Sequence, residues 1–283
     1  MFRALFAFAA LGGVCGAANA GNTVNDYIRD GLIAFWDGTY NSTNSTGNAC
    51  HDSAATVWLD LSGSGHDAHV ATTIPPYWGE NYFNTSNSVN GTTSLQCRMD
   101  FTPNEDFLSA INDVHFTYQA CFKVNTWISN TAFFGCRDKG GTWGMRTDAS
   151  GNISFAIRGS ESGIGSHKST WLAGCVHSFS ADGRYFNTVV NESTSSVNGG
   201  TAIGSTPTTG GGRIGGPCAM YTGDGDYRLY AGRVYSRPLT GVEMAYNAAI
   251  DRVRYFDAAP RTTVNVSSLF VDARQLQHDD TCV

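Results

Sequence analysis

The chain has 283 residues, with 33 glycines, 12% aromatic residues, only 15% charged residues and a formal net charge of -6. That balance suits short strands joined by polar turns rather than a helical bundle, and its length can bury one large sandwich core or two small ones. Lys and Arg are scattered, so no basic surface is available for a phosphate backbone; nucleic acid and acidic lipid surfaces are disfavoured as partners.

The first segment has the form of a secretory signal. Arg3 supplies a positive start, Ala4 to Val14 an apolar core, and Ala18-Asn19-Ala20 a small-x-small cleavage site before Gly21. The apolar run is shorter than the roughly 20 residues that cross a bilayer, and no later segment is long and apolar enough. The expected product is therefore exported, with no membrane span after cleavage of residues 1–20.

Strand-like segments follow. From Val114 to Val124 the even positions are Val114, Phe116, Tyr118, Ala120, Phe122 and Val124, and the odd ones are His115, Thr117, Gln119, Cys121 and Lys123. This period-two alternation predicts a strand with its even side chains in the core, its other face wet or paired with a second layer. Residues 142–147 and 152–158 read as one hairpin around Asp148-Ala149-Ser150-Gly151, and residues 176–180 and 184–190 as another around Ala181-Asp182-Gly183. Residues 193–216, rich in Gly, Ser and Thr, read as a long surface loop or a loosely held hairpin. Another alternating strand, Tyr230 to Tyr235, runs through Ser236-Arg237-Pro238-Leu239 into a helix. Thr240 with Glu243 three residues on forms a capping box, and Val242, Tyr246, Ala249, Val253 and Phe256 recur at spacings of three and four, predicting the buried stripe. Residues 259–283 lose this patterning and read as a tail.

Three segments carry a family resemblance. Tyr27-Ile28-Arg29-Asp30-Gly31-Leu32-Ile33-Ala34-Phe35-Trp36-Asp37-Gly38, then Trp58-Leu59-Asp60-Leu61-Ser62-Gly63-Ser64-Gly65-His66-Asp67-Ala68, and finally Arg233-Val234-Tyr235-Ser236-Arg237-Pro238-Leu239-Thr240 with Glu243 occur in the order found in laminin-G-like domains of the concanavalin A-like superfamily. The chain resembles that superfamily from about Val24 to Phe256, with Ala68 standing where the family has Gly. The resemblance implies an all-β, two-sheet antiparallel jelly-roll sandwich over residues 21–258 with one short C-terminal helix.

The chemistry is less legible. Glucanases of this fold carry a Glu-x-Asp-x-x-Glu strand, whereas the five Glu here (Glu80, Glu105, Glu161, Glu192 and Glu243) form no such pattern. Glu105 and Asp106 are adjacent and would point to opposite faces of a strand. His66 and His69 flank Asp67 in a Gly-rich turn that needs no metal. No cofactor is expected; calcium is an alternative that the resemblance raises, with Asp224 and Asp226 as the densest oxygen source, although their spacing matches no defined calcium loop. No G-x-S-x-G elbow occurs. Of eight cysteines, Cys15 leaves with the signal, and an exported chain can pair some of the other seven in disulfides, with Cys282 the candidate odd one. Seven N-x-S/T sequons, beginning at Asn41, Asn44, Asn84, Asn90, Asn152, Asn191 and Asn265, do not establish glycosylation.

Sugar rings stack on exposed aromatic faces, so Tyr77 and Trp78 beside Gly79, and Trp143 between Thr142 and Gly144, are the candidate ligand residues. The reading is a non-catalytic carbohydrate- or ligand-binding module whose partner is an extracellular glycan or surface protein. A structural or adhesive surface protein is the alternative, and a polysaccharide-active enzyme on the same fold is the second.

Overall fold

The computed structural model describes residues 24–72, 77–85, 97–126, 132–136, 143–147, 152–157, 160–164, 173–183, 185–191, 193–198, 210–215 and 226–256. The expected signal segment, the tail and Asp224 lie outside the described residues.

Strands are numbered along the chain. The first eight-stranded sheet runs Ser193–Asn198 (β16), Tyr185–Val190 (β15), Cys175–Asp182 (β14), His115–Thr126 (β9), Asp226–Tyr235 (β18), Phe83–Asn84 (β7) and Tyr77–Trp78 (β6), with Leu32–Asp37 (β1) paired to the far half of β18. The second runs Ser160–Ile164 (β13), Ile153–Ile157 (β12), Trp143–Thr147 (β11), Ala132–Cys136 (β10), Gly212–Ile214 (β17), Met99–Phe101 (β8), Ala68–Val70 (β5) and Val57–Trp58 (β4). A small hairpin pairs Ser42–Thr43 (β2) with Ala49–Cys50 (β3). Pairing within both large sheets is antiparallel, and aromatic contacts join them into a sandwich: Tyr118 stacks on Phe134 at 4.3 Å, Phe179 on Phe155 at 4.2 Å, and Phe122 packs on Phe133 at 4.6 Å.

Both expected hairpins form, as β11–β12 and β14–β15. Strand β9 behaves as its alternation predicts. Phe116, Tyr118, Ala120, Phe122 and Val124 enter the sandwich core. The odd positions Thr117, Gln119 and Cys121 are also buried, because the C-terminal helix Gly241–Phe256 lies over that outer face. Strand β18 changes sides partway along. Tyr227 and Leu229 point into the core, a bulge at Tyr230 inserts one residue opposite the Phe122–Cys121 step, and Arg233 then turns towards the helix.

Three expectations need correction. First, the C-terminal helix is not the sole helix: Glu105–Asp113 is helical (α1), which makes Gly241–Phe256 α2. Asn104 caps α1 by accepting from Phe107 N at 2.9 Å, Glu105 and Asp106 complement the positive helix start, and Phe107, Ala110 and Ile111 share the buried face. Glu105 and Asp106 thus belong to a helix rather than to a strand.

Second, the buried stripe of α2 is Met244, Asn247, Ala248, Asp251 and Tyr255, with Ile250 beside it, whereas Val242, Tyr246, Ala249 and Val253 are half-exposed. Two of the inward residues are polar, so ranking positions by hydropathy selects the wrong face. Third, residues 193–216 are not one loop: β16 edges the first sheet, and β17 lies between β8 and β10 in the second. Among the described residues Cys50, Cys97, Cys121 and Cys175 are free thiols, and the side chains of Cys136, Cys218 and Cys282 lie outside the described residues. Cys121 faces α2, while Cys175 on the adjacent strand faces the core, so the sheet itself separates the two thiols.

Candidate functional site

The turn carrying His66 and Asp67 is a structural knot. Asp60 Oδ1 accepts from Phe35 N and Ser62 N at 2.9 Å, and Oδ2 accepts from Ser62 Oγ at 2.8 Å and His66 N at 2.9 Å. Asp67 Oδ1 accepts from Asp60 N at 2.7 Å, while Trp36 Nε1 donates to the His66 carbonyl at 3.0 Å. Burial pushes the Asp60 pKa up, but these donors outweigh it and the net shift is downward. His66 is buried against Phe101 and Phe107, whereas His69 is exposed on β5, so the two imidazoles share no site.

A second buried polar group ties α2 to the sheet. Arg233 forms a bidentate pair with Asp251, both side chains fully buried. Tyr27 donates to Asp251 Oδ1 at 2.6 Å, and the Arg233 guanidinium lies 4.2 Å over the Tyr27 ring. Arg254 Nη1 donates to Tyr27 Oη at 2.8 Å and Asp37 Oδ2 at 2.6 Å. Beside them Asn247 Nδ2 donates to Gln119 Oε1 at 2.7 Å and Tyr235 Oη at 2.9 Å, and Asn247 Oδ1 accepts from Ile28 N at 3.1 Å. Asp37 and Asp251 are thereby committed to holding arginines.

The exposed chemistry lies at the other end of the same outer face. Tyr77 opposes Asn84, Asn84 opposes Arg228, and Arg228 opposes Lys123. Directly opposed residues share a face. Their strand neighbours Trp78, Phe83, Leu229 and Phe122 are all in the core, so these four side chains form one row on the outside. The row crosses β6, β7, β18 and β9 and spans roughly 14 Å at the usual strand spacing. Tyr77 is 47% exposed and is the exposed large hydrophobic side chain among the described residues.

Aromatic residues support the row from the helix side. The Arg228 guanidinium carbon sits 4.8 Å over the Tyr82 ring, Tyr82 packs on Tyr230 at 5.5 Å, and Tyr230 packs on Phe256 at 5.1 Å. Gly79 permits this, since a Cβ there would collide with the Tyr82 ring. Burial raises the Tyr230 pKa against the pull of Arg228. Within the row, Asn84 Oδ1 and Arg228 Nε are buried polar atoms with no hydrogen-bond partner, each costing about 1–3 kcal/mol.

Of the residues expected from sequence, Tyr77 alone is on this platform. Trp78 is buried against Trp58 and Phe83 with Nε1 donating to the Ala55 carbonyl at 2.8 Å, and Trp143 is buried among Phe101, Phe107 and Phe134. Neither offers an indole face to a sugar. Asp226 accepts from Asn125 Nδ2 at 2.9 Å and Thr126 Oγ1 at 2.8 Å. No group of three or more potential metal-ligating side chains occurs among the described residues. Asn84, Arg228, Lys123 and Tyr82 escape sequence reading because only strand register brings them together. No described helix is long and apolar enough to cross a membrane.

No protein-family model and no curated protein matches the chain. Its fold is similar to Trypanosoma rangeli sialidase, with 17% identity and a TM-score of 0.54 over 80% of this chain and 33% of that one. It is also similar to botulinum neurotoxin type C, described as depending on two ganglioside molecules to enter cells (13% identity, TM-score 0.55, 78% of this chain and 51% of that one). A third likeness is to the binding domain of botulinum neurotoxin DC in complex with rat synaptotagmin II (13%, TM-score 0.52, 78% and 52%). The chain thus spans about a third of the sialidase and about half of the toxin chains, and the likeness is one of β-sandwich fold.

Proposed function

We propose that the protein is an exported, non-catalytic carbohydrate-binding module of the laminin-G-like, concanavalin A-like type, and that the Tyr77–Asn84–Arg228–Lys123 row is its binding platform. The observation that carries this reading is the row itself: an exposed aromatic ring aligned by strand register with the amide of Asn84, the guanidinium of Arg228 and the ammonium of Lys123. A sugar ring presents a C–H face to an aromatic and hydroxyls to polar groups, and so matches both halves of the arrangement. The fold is compatible, since sandwich neighbours include a sialidase solved with sialic acid and a toxin tied to gangliosides.

A glycan array probed with the purified chain tests the reading. Binding should be modest because a shallow platform desolvates little ligand surface, and Tyr77→Ala should weaken it about tenfold or more while leaving the thermal midpoint within about 2 °C. Absence of any glycan binding, or binding indifferent to Tyr77→Ala and Asn84→Ala, would reject the platform.

A further inference from the structure

The two cations of the row oppose one another directly, Arg228 on β18 against Lys123 on β9. Like charges so placed weaken a strand pair, whereas four other arginines of the described residues are matched with carboxylates: Arg213 with Asp100, Arg233 with Asp251, Arg237 with Glu243 and Arg254 with Asp37. Among the described residues no carboxylate pairs with Lys123 or Arg228. Asp226, two residues along β18, already holds Asn125 and Thr126. In an acidic chain of net charge -6, a directly opposed cation pair on the outer face of the sheet is locally repulsive.

An anion seated between the two side chains converts that repulsion into two attractions. Arg228 is prepared for this: the Tyr82 ring holds its planar guanidinium, which can bind a carboxylate or sulfate in a bidentate manner, while Lys123 adds a point charge. Tyr77 lies two strands from Arg228, roughly 10 Å away at normal spacing. A ligand that stacks on Tyr77 and reaches the cations therefore needs at least two linked sugars, with the charge on the unit distant from the stacked ring.

We infer that the platform selects acidic oligosaccharides, placing a carboxylate or sulfate between Lys123 and Arg228 and a neighbouring sugar ring on Tyr77. This rests on the glycan-binding reading above and narrows its ligand class.

The test uses the full chain on an array of matched glycans, each neutral core printed beside its sialylated, uronic-acid and sulfated forms, followed by calorimetry on the best acidic member and its neutral core. The acidic member should bind at least about tenfold more tightly, and the ratio should shrink as salt rises from about 0.05 M to about 0.5 M. The carboxylated and sulfated arms separate the two anion sources. Lys123→Glu should abolish the acidic preference and raise the thermal midpoint by about 1–3 °C, since it replaces a repulsive pair with an attractive one. Equal binding of neutral and acidic partners, or an acidic preference unchanged in Lys123→Glu, would overturn the acidic selectivity and leave glycan binding standing. Failure to bind every member of the array would instead overturn the glycan-binding reading, and this inference with it.

Discussion

Replacing Asp251 with Ala leaves Arg233 charged and sealed beneath α2. Both side chains are inaccessible to solvent, so water cannot take over the role of the carboxylate without opening the helix–sheet interface. Burial on its own lowers the Arg233 pKa, but the Asp251 charge and its neighbours reverse this and hold the guanidinium well above its ordinary range. Breaking one side of such a pair costs about 3–5 kcal/mol, and Tyr27 also loses the acceptor that its hydroxyl reaches at 2.6 Å. At roughly 2–4 °C per kcal/mol for a domain of this size, the thermal midpoint followed by circular dichroism should fall by about 6–20 °C. Arg233→Met with Asp251→Leu should recover most of that loss, because an apolar pair leaves no stranded charge, giving a coupling of about 2 kcal/mol or more in a double-mutant cycle. A loss below about 1 kcal/mol for Asp251→Ala would refute the reasoning by showing that solvent reaches the pair.

The corrected face of α2 predicts that Met244→Ala costs about 2–5 kcal/mol in urea unfolding and Val242→Ala less than about 1, since only Met244 is fully buried; equal losses would contradict the assigned face. Asp60 has a depressed pKa in the folded chain, so its stabilisation is complete above the unfolded value near 3.9 and is lost as pH falls through the lower folded one. Asp60→Asn should flatten that acid limb, and an unaltered pH profile would show that the turn does not depend on the charge. Tyr235 is pushed up to about 12 by burial; its contribution is full below the unfolded value near 10 and fades as pH rises to about 12, so Tyr235→Phe should reduce alkaline destabilisation in a pH-jump unfolding series.

How far the sequence reaches depends on the range over which each interaction is set. The closing segment around Arg233 is legible because nearly every motif residue has a defined structural role. Arg233 holds Asp251, Tyr235 Oη donates to the Ile28 carbonyl at 3.1 Å, Arg237 pairs with Glu243, Leu239 is buried, and Thr240 and Glu243 cap each other's backbone N–H. The Asp60 turn is legible for the same reason, and Ala68 is accommodated there as a buried strand residue opposite Trp58. Sequence patterning fails where a buried face is polar. Asn247 and Asp251 look like solvent residues until Gln119, Arg233 and Tyr27 are seen beneath them, which is why the helix stripe is misplaced.

The aromatic candidates mislead for a related reason. A tryptophan beside glycine has the same local sequence whether its ring points out or in, and Trp78 and Trp143 point in. Strand alternation resolves the Tyr77–Trp78 pair once a core is known: with Trp78 inside, Tyr77 must stand on the outer face. The platform itself is legible in no local window. Tyr77, Asn84, Lys123 and Arg228 come from four strands, and moving any one of those strands by a single residue would send its contribution into the core. Register, rather than motif, therefore creates the site. A one-residue insertion at the start of β7 should abolish glycan binding while Tyr77 and Arg228 remain in the chain, by turning Phe83 outward and Asn84 inward.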